Sequence, residues 1–351
     1  MSCKSKTNSQ DQKNIAQKSK KKAVINKPDT INIVAVGDIM LGSAYPSKNN
    51  LPPNDGINSF KAVESFLKGD IVFGNLEGVL LNNGNSSKCK GLNPNSCYAF
   101  RMPERYAKII KNAGFNVLSI ANNHVGDFDS RGRKNTARIL DSLQIKYAGQ
   151  LEKPFDVFEI NNTKYAFCAF APNENTVSIN DLEKAKILVN SLKKQADIVI
   201  VSFHGGGEGA KFEHVTRQKE IFYNENRGNV YDFAHAVIDA GADVVLGHGP
   251  HVTRAVEVYK NKFIAYSLGN FCTYGMFSLK GPNGYAPLLQ LKINSNGDFL
   301  FADVISVKQD KITGLTLDND FTAFKKIESL TRIDFPNQSL KFENNKIFPI
   351  Q

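Results

Sequence analysis

No stretch of this 351-residue chain stays apolar long enough to cross a bilayer as a helix, so no spanning helix is expected. The five cysteines include no CxxC spacing, which argues against a structural zinc knuckle. No internal repeat is present, so solenoid and propeller arrays are set aside. No DNA-reading motif and no stripe of interleaved aromatic and basic side chains occurs, so nucleic acid is not an expected partner.

The formal charge of +10 looks like a counter-argument until it is apportioned. Residues 1–30 hold eight Lys and two Asp, a net of +6, which leaves +4 for everything that follows. That surplus favours an acidic substrate or an anionic surface nearby only weakly. The same thirty residues are rich in Lys, Asn, Gln and Ser and almost free of large apolar side chains, which predicts a disordered tether. Cys3, within Met1-Ser2-Cys3, looks like the end of a bacterial lipoprotein signal. On that reading the native precursor is lipid-anchored through Cys3 and lies in the cell envelope, outside the cytoplasm. The other reading is an incidental cysteine in a polar tail. Cys89 and Cys97 share a loop dense in Asn, Gly and Ser and are close enough to close a short disulfide ring, although two free thiols fit the loop as well. Cys168 and Cys272 stand in apolar runs and read as core filler.

What is present is a recurrence. Five times an apolar run breaks off into polar residues able to bind a metal. Run 31–36 leads into Gly37-Asp38, and 70–73 into Gly74-Asn75-Leu76-Glu77. Run 116–120 leads into Ala121-Asn122-Asn123-His124, 197–203 into His204 through Glu208, and 243–246 into Gly247-His248-Gly249-Pro250-His251. Short β-branched runs read as buried strands, and ligands in open α/β sheets collect beyond the strands' carboxyl ends. Four of the six histidines lie in these clusters, so one converged site is the economical reading. His214 and His235 fall outside it. Asp, Glu, Asn and His without cysteine suit Zn, Mn, Fe or Mg. Individual members have structural alternatives: Asp38 as a turn cap, Asn122 and Asn123 in left-handed turns, Glu77 paired with an arginine.

Segments 59–68, 103–113, 131–143, 181–195 and 229–240 place apolar residues at helical intervals between the strands. Alternation of this kind predicts right-handed crossovers and a largely parallel sheet in one α/β domain. After residue 251, short β runs separated by Asn- and Gly-rich turns predict antiparallel strands in a second sheet or edge. From about residue 318 to 351 no clear periodicity remains, and this stretch is expected to be a C-terminal extension to the 31–317 domain.

The order of the motifs carries a resemblance. Val36-Gly37-Asp38-Ile39-Met40-Leu41-Gly42, Gly74-Asn75-Leu76-Glu77-Gly78, Asn122-Asn123-His124, His204-Gly205-Gly206-Gly207-Glu208, Gly247-His248-Gly249-Pro250-His251 and Ser267-Leu268-Gly269-Asn270-Phe271 resemble the CapA-type family of poly-γ-glutamate capsule biosynthesis proteins, itself similar to calcineurin-like metallophosphoesterases. The resemblance implies a four-layer α/β/β/α sandwich with a site for one or two divalent metals (Mn, Zn, Fe or Mg) at the strand ends. It makes Asp38 and His251 first-site ligands, Glu77 the bridging carboxylate, and Asn123, His204 and His248 second-site ligands. His124 becomes the general acid or transition-state electrophile, and Glu208 a site residue without a counterpart in ordinary phosphoesterases. Asn75, Asn122, Asn270, Arg101 and Arg131 are the candidate substrate contacts, and Arg105 and Arg133 also follow the clusters. Met40 departs from the pattern, standing where phosphoesterases usually carry a histidine. The implied activity is metal-dependent hydrolysis or transfer at a phosphoester or at an amide of an acidic polymer. The competing class is a non-catalytic polymer-binding or scaffold subunit of a membrane synthesis complex.

Overall fold

A computed structural model describes residues 1–2, 28–91 and 97–350; the tether segment 3–27, with Cys3, lies outside the described residues. The first half of the chain runs β1 (Thr30–Met40), β2 (Ile71–Leu76), β3 (Val79–Leu80), β4 (Arg101–Met102), α1 (Tyr106–Asn112), β5 (Val117–Ser119), α2 (Asp129–Ser142) and β6 (Lys146–Ala148). Then follow β7 (Phe155–Ile160), β8 (Thr163–Phe170), α3 (Leu182–Lys193), β9 (Ile198–His204), β10 (Ile221–Phe222), β11 (Glu225–Asn226), α4 (Val230–Asp239) and β12 (Val244–His248). The last stretch holds β13 (Val256–Tyr259), β14 (Lys262–Ala265), β15 (Asn270–Thr273), β16 (Tyr285–Asn294), β17 (Phe299–Asp310), β18 (Gly314–Leu317), α5 (Thr322–Asp334), β19 (Leu340–Glu343) and β20 (Lys346–Pro349).

Two large sheets result, one ordered β19-β20-β17-β16-β1-β2-β5-β6, with β15 on β1 and β18 on β17, and one ordered β13-β14-β12-β9-β8-β7. Side-chain alternation along the central strands decides the layers. On β1, Ile33 and Ala35 face inward, where they join Phe73, Phe167, Ile200 and Leu246 in a core between the sheets. Val34 and Val36 face outward and pack with Tyr106, Ile110 and Leu140 of α1 and α2. On the second sheet Val199, Val201 and Val245 face out against Ala185, Val189, Phe233 and Val237 of α3 and α4. The order is therefore helix, sheet, sheet, helix, a four-layer sandwich. Each fully buried Phe or Ile contributes about 1.5–3 kcal/mol through loss of hydrated apolar surface.

Helices α3 and α4 begin where Asp181 and Asn229 accept hydrogen bonds from the backbone N–H of Lys184 and Asp232. Segment 59–68 departs from expectation. Phe60, Val63 and Leu67 are buried as their spacing requires, but the backbone bonds run three residues back, in turns and a 3₁₀ element at Glu64–Phe66. The strands after residue 251 are antiparallel in β13–β14 and in β16–β17–β18, whereas β14 lies parallel to β12 and β15 parallel to β1. Residues 322–349 form a helix and a hairpin, and β20 of that hairpin pairs with β17. Among the described residues no helix is long and apolar enough to cross a membrane. Cys89 and Cys97 are disulfide-bonded; Cys168 and Cys272 are free and buried.

Candidate metal centre and its cleft

Parallel pairing brings the carboxyl ends of β1, β2 and β5 to one edge of the first sheet, and those of β9 and β12 to the same edge of the second. Asp38 is in register with Asn75, and His248 with His204. The loop after β12 turns sharply enough to send His251 back over the strand ends. Gly249 makes that possible: its φ is +115°, and a Cβ there would meet the backbone of Gly205 at 2.7 Å.

The side chains converge. Asp38 Oδ2 lies 2.9 Å from His251 Nδ1, and Asp38 Oδ1 lies 3.3 Å from His248 Nδ1. Asn75 Nδ2 donates to Asp38 Oδ1 at 2.9 Å, and Asn270 Oδ1 stands 3.2 Å from His251 Nδ1. Glu77 Oε1 faces three imidazoles, with Nε2 of His251, His204 and His124 at 3.6, 3.7 and 3.9 Å. Ligand atoms of Glu77, His204 and His251 all lie within 4.8 Å of one another. Glu77 Oε1, Asn123 Oδ1 and both ring nitrogens of His204 and His248 are buried with no hydrogen-bond partner among the described residues. Buried polar atoms cost about 1–3 kcal/mol each when unpaired, so Glu77 Oε1 and the His204 Nε2 that faces it at 3.7 Å call for a common partner. An oxygen and imidazole donor set of this size fits a divalent cation.

The protonation states agree with a site built around positive charge. Burial pulls the Asp38 carboxyl upward, but the imidazoles of His248 and His251 outweigh it and hold the group far below the usual range. Burial, together with the nearby charges of Asp38 and Glu208, holds Glu77 well above its ordinary range, with His251 opposing. Burial lowers His251, yet Glu77 and Asp38 outweigh that and push it up to about 10. Burial, helped by the charges of His251 and Arg227 and opposed by Asp38, drives His204 far down. In the metal-free protein an imidazolium at His251 therefore pairs with the Asp38 carboxylate.

His124 stands at the margin of the cluster. Its Nδ1 is 2.7 Å from Asp127 Oδ2, and its ring stacks on Phe100 at 3.8 Å. Burial lowers its pKa despite Asp127, so the ring is neutral at pH 7. The Asp127 carboxylate requires the proton on Nδ1 and leaves Nε2 to accept or pass one. Asp127 was not legible in advance beyond its place three residues after His124. Its other contacts, from Lys88 Nζ at 2.7 Å and Phe100 N at 2.7 Å, come from the disulfide loop and beyond.

A cleft of about 730 Å³ opens over the cluster, lined by His251, His124, Asn123, Asn270 and Glu208 together with Arg227, Lys88, Tyr98 and Tyr223. Of the expected substrate contacts, Asn270 reaches it. Asn75 and Asn122 are fully buried beneath: Asn122 Nδ2 donates to Asn75 Oδ1 and to Leu76 O, and Asn122 Oδ1 accepts from His124 N. Their amides shape the floor. Arg101 and Arg131 are elsewhere. Arg101 donates to the carbonyls of Gly84 and Ala44, and Arg131 lies exposed near Asn85. Arg105 pairs with Asp55 on the surface. Among the described residues the Lys and Arg side chains lining the cleft are Lys88 and Arg227, which carry no motif in sequence. Met40 is fully buried, its sulfur accepting from Gly42 N.

The turn between His204 and Glu208 has its own scaffold. Arg254, fully buried, donates from Nη1 and Nη2 to both oxygens of Glu220 at 2.9 and 2.7 Å, and Glu220 Oε2 also accepts from Gly207 N at 2.8 Å.

The family model described as "Bacterial capsule synthesis protein PGA_cap" matches residues 32–274, well over half of the chain and a span that includes all six motifs of the resemblance. The chain belongs to that family. It is 31% identical over 266 residues to the capsule biosynthesis protein CapA of Bacillus anthracis, covering 69% of this chain and 60% of the relative. It is 30% identical over 260 residues to the PGA biosynthesis protein CapA of Bacillus subtilis (strain 168), covering 69% and 63%. The chain thus spans about three fifths of the length of these relatives. Among solved structures, a hypothetical protein from Thermus thermophilus superposes with a TM-score of 0.48 at 14% identity, covering 80% of this chain and all of that one. A putative 5′-nucleotidase from Staphylococcus aureus gives 0.39 at 14% identity, covering 88% and 59%.

Proposed function

We propose that this chain is an envelope-anchored member of the capsule synthesis family that binds one or two divalent ions (Mn, Zn, Fe or Mg) and hydrolyses or transfers a phosphoester, or an amide of an acidic polymer such as poly-γ-glutamate. The observation that carries the reading is the set of unpaired buried ligand atoms around Glu77 Oε1, at the floor of an open cleft. Glu77, His204 and His251 would hold the ion, with Asp38, His248 and Asn123 completing the shell. When bound, such an ion supplies Lewis acidity, acidifying water and polarising a phosphoryl or carbonyl oxygen. The residues do the rest. Asp127 fixes the His124 tautomer, Nε2 of His124 faces the cluster to carry a proton to or from the reacting group, and burial of the floor excludes bulk water. The Cys89–Cys97 disulfide supports residence in an oxidising compartment, in keeping with a lipid anchor at Cys3.

The test begins with protein purified without chelator. Its metal content is measured, then hydrolysis of a generic phosphodiester and of a γ-linked glutamate oligomer with added manganese, beside His124→Ala and His251→Ala. Metal-dependent turnover lost in both variants supports the enzyme. A second reading rests on Met40, buried where a further ligand is expected: a metal-bearing polymer-binding subunit of a synthesis complex without turnover. Polymer binding with no hydrolysis under any metal would favour it and end the first.

A further inference from the structure

We propose that Arg227 is the anion anchor of the cleft, and that one carboxylate or phosphate oxyanion of the ligand takes the place of Glu208 on its guanidinium. The inference rests on the cleft being the ligand site, as read above, but not on any reaction there.

Arg227 lines the cleft although its side chain is only 5% exposed. Nη2 donates to Glu208 Oε1 at 2.9 Å, and Nε stands 3.0 Å from Glu225 Oε2. Among the described residues neither Nη1 nor, despite that short distance, Nε has a hydrogen-bond partner. A buried guanidinium with an unused donor is costly, and donors of this kind are normally satisfied by protein, water or ligand. The two halves of the pair are unequal. Glu208 is 24% exposed and sits on a glycine-rich turn, so its carboxylate is the half free to leave. Arg227 is fixed. Its N–H donates to Glu220 O, its carbonyl accepts from Gly206 N, and its guanidinium lies 5.6 Å from the centre of the Phe222 ring. Glu220 is in turn locked by Arg254.

Charge complementarity points the same way. Asp38, Glu77, Glu208 and Glu225 surround the floor, so an anionic ligand needs a cation held in place to approach them. Lys88, the other basic residue in the cleft, is already spent on Asp127 and is 44% exposed. An end-on oxyanion on Arg227 would use the idle Nη1 and compete with Glu208 for Nη2, the two-oxygen geometry that guanidinium favours.

The experiment uses the manganese-loaded full chain and calorimetric titration with inorganic phosphate and, separately, with glutarate. Wild-type protein is expected to bind one of the two, and the arm that binds identifies the source of the oxyanion. Arg227→Gln should weaken that affinity by about tenfold or more, the scale of one charge-assisted bond. Arg227→Lys should recover part of it, and Glu208→Gln, which removes the competitor, should tighten it severalfold. Unchanged affinity in Arg227→Gln, weaker affinity in Glu208→Gln, or no binding of either anion by the wild type overturns the proposal. If Arg227→Gln does not fold, Glu208→Gln alone decides by the same sign. No turnover is measured, so a non-catalytic protein leaves the inference standing, and a catalytic one can still refute it.

Discussion

Glu220→Gln isolates the scaffold beneath the metal centre. Arg254 is fully buried and Glu220 is 5% exposed, so neither charge is supported by water. Neutralising the carboxylate leaves the guanidinium without a counter-charge and turns one of its two acceptors into an N–H that opposes it. Breaking a buried pair from one side costs about 3–5 kcal/mol. If the amide nitrogen faces Gly207 N, that group also loses its acceptor, at a further cost of about 1–3 kcal/mol for an orphaned buried donor. Urea unfolding of metal-free protein reads the loss as a lower midpoint at unchanged slope. The double substitution Glu220→Leu with Arg254→Met removes both charges, and should recover most of the loss because the desolvation cost is removed along with the attraction. A loss below about 1 kcal/mol in Glu220→Gln, the value of a solvated surface pair, would refute the reading of this contact as a buried scaffold.

Manganese binding should release protons. With a pKa pushed up to about 10, His251 carries a proton at pH 7 that a ligand must give up, so metal affinity rises as pH rises toward that range. Calorimetry in two buffers of different ionisation heat should therefore give different binding heats, and identical heats would count against the assignment. If the site is catalytic, Asp127→Asn should lower kcat by about 10²–10⁴-fold, the worth of a positioned acid or base. Its metal content should be unchanged, because Asp127 contacts His124 rather than the Glu77, His204 and His251 cluster. Replacing Cys89 and Cys97 by Ser opens a short ring and should cost about 2.5 kcal/mol by the chain-entropy relation; an unfolding curve that does not respond to reductant in the wild type would contradict it.

Much of the fold is readable along the chain because its signals are local. Helices α3 and α4 fall where apolar spacing and a capping Asp181 or Asn229 place them. Segment 59–68 shows the limit, since burial at positions 60, 63 and 67 suits a 3₁₀ run of turns as well as an α-helix. The segment past residue 318 hides its order for another reason. Helix α5 divides its apolar side chains between two cores, with Phe324 and Ile327 facing the intersheet layer and Leu330 the outer one, so no single stripe marks it.

The sequence by itself determined which residues could bind a metal, because each cluster follows a strand and glycine-bounded strand ends expose polar side chains at one edge. Only the tertiary structure decided which of them meet. Asp38 and His251 are 213 positions apart yet 2.9 Å from each other, while Arg101 and Arg131, which follow two of the clusters along the chain, point into other contacts. It also chose Arg227, Lys88, Asp127 and the Arg254–Glu220 pair, whose roles come from neighbours distant in the chain. The reason is physical: residue type and spacing fix what a side chain can do and which way a strand presents it, but proximity across two sheets is set by the packing of the whole core.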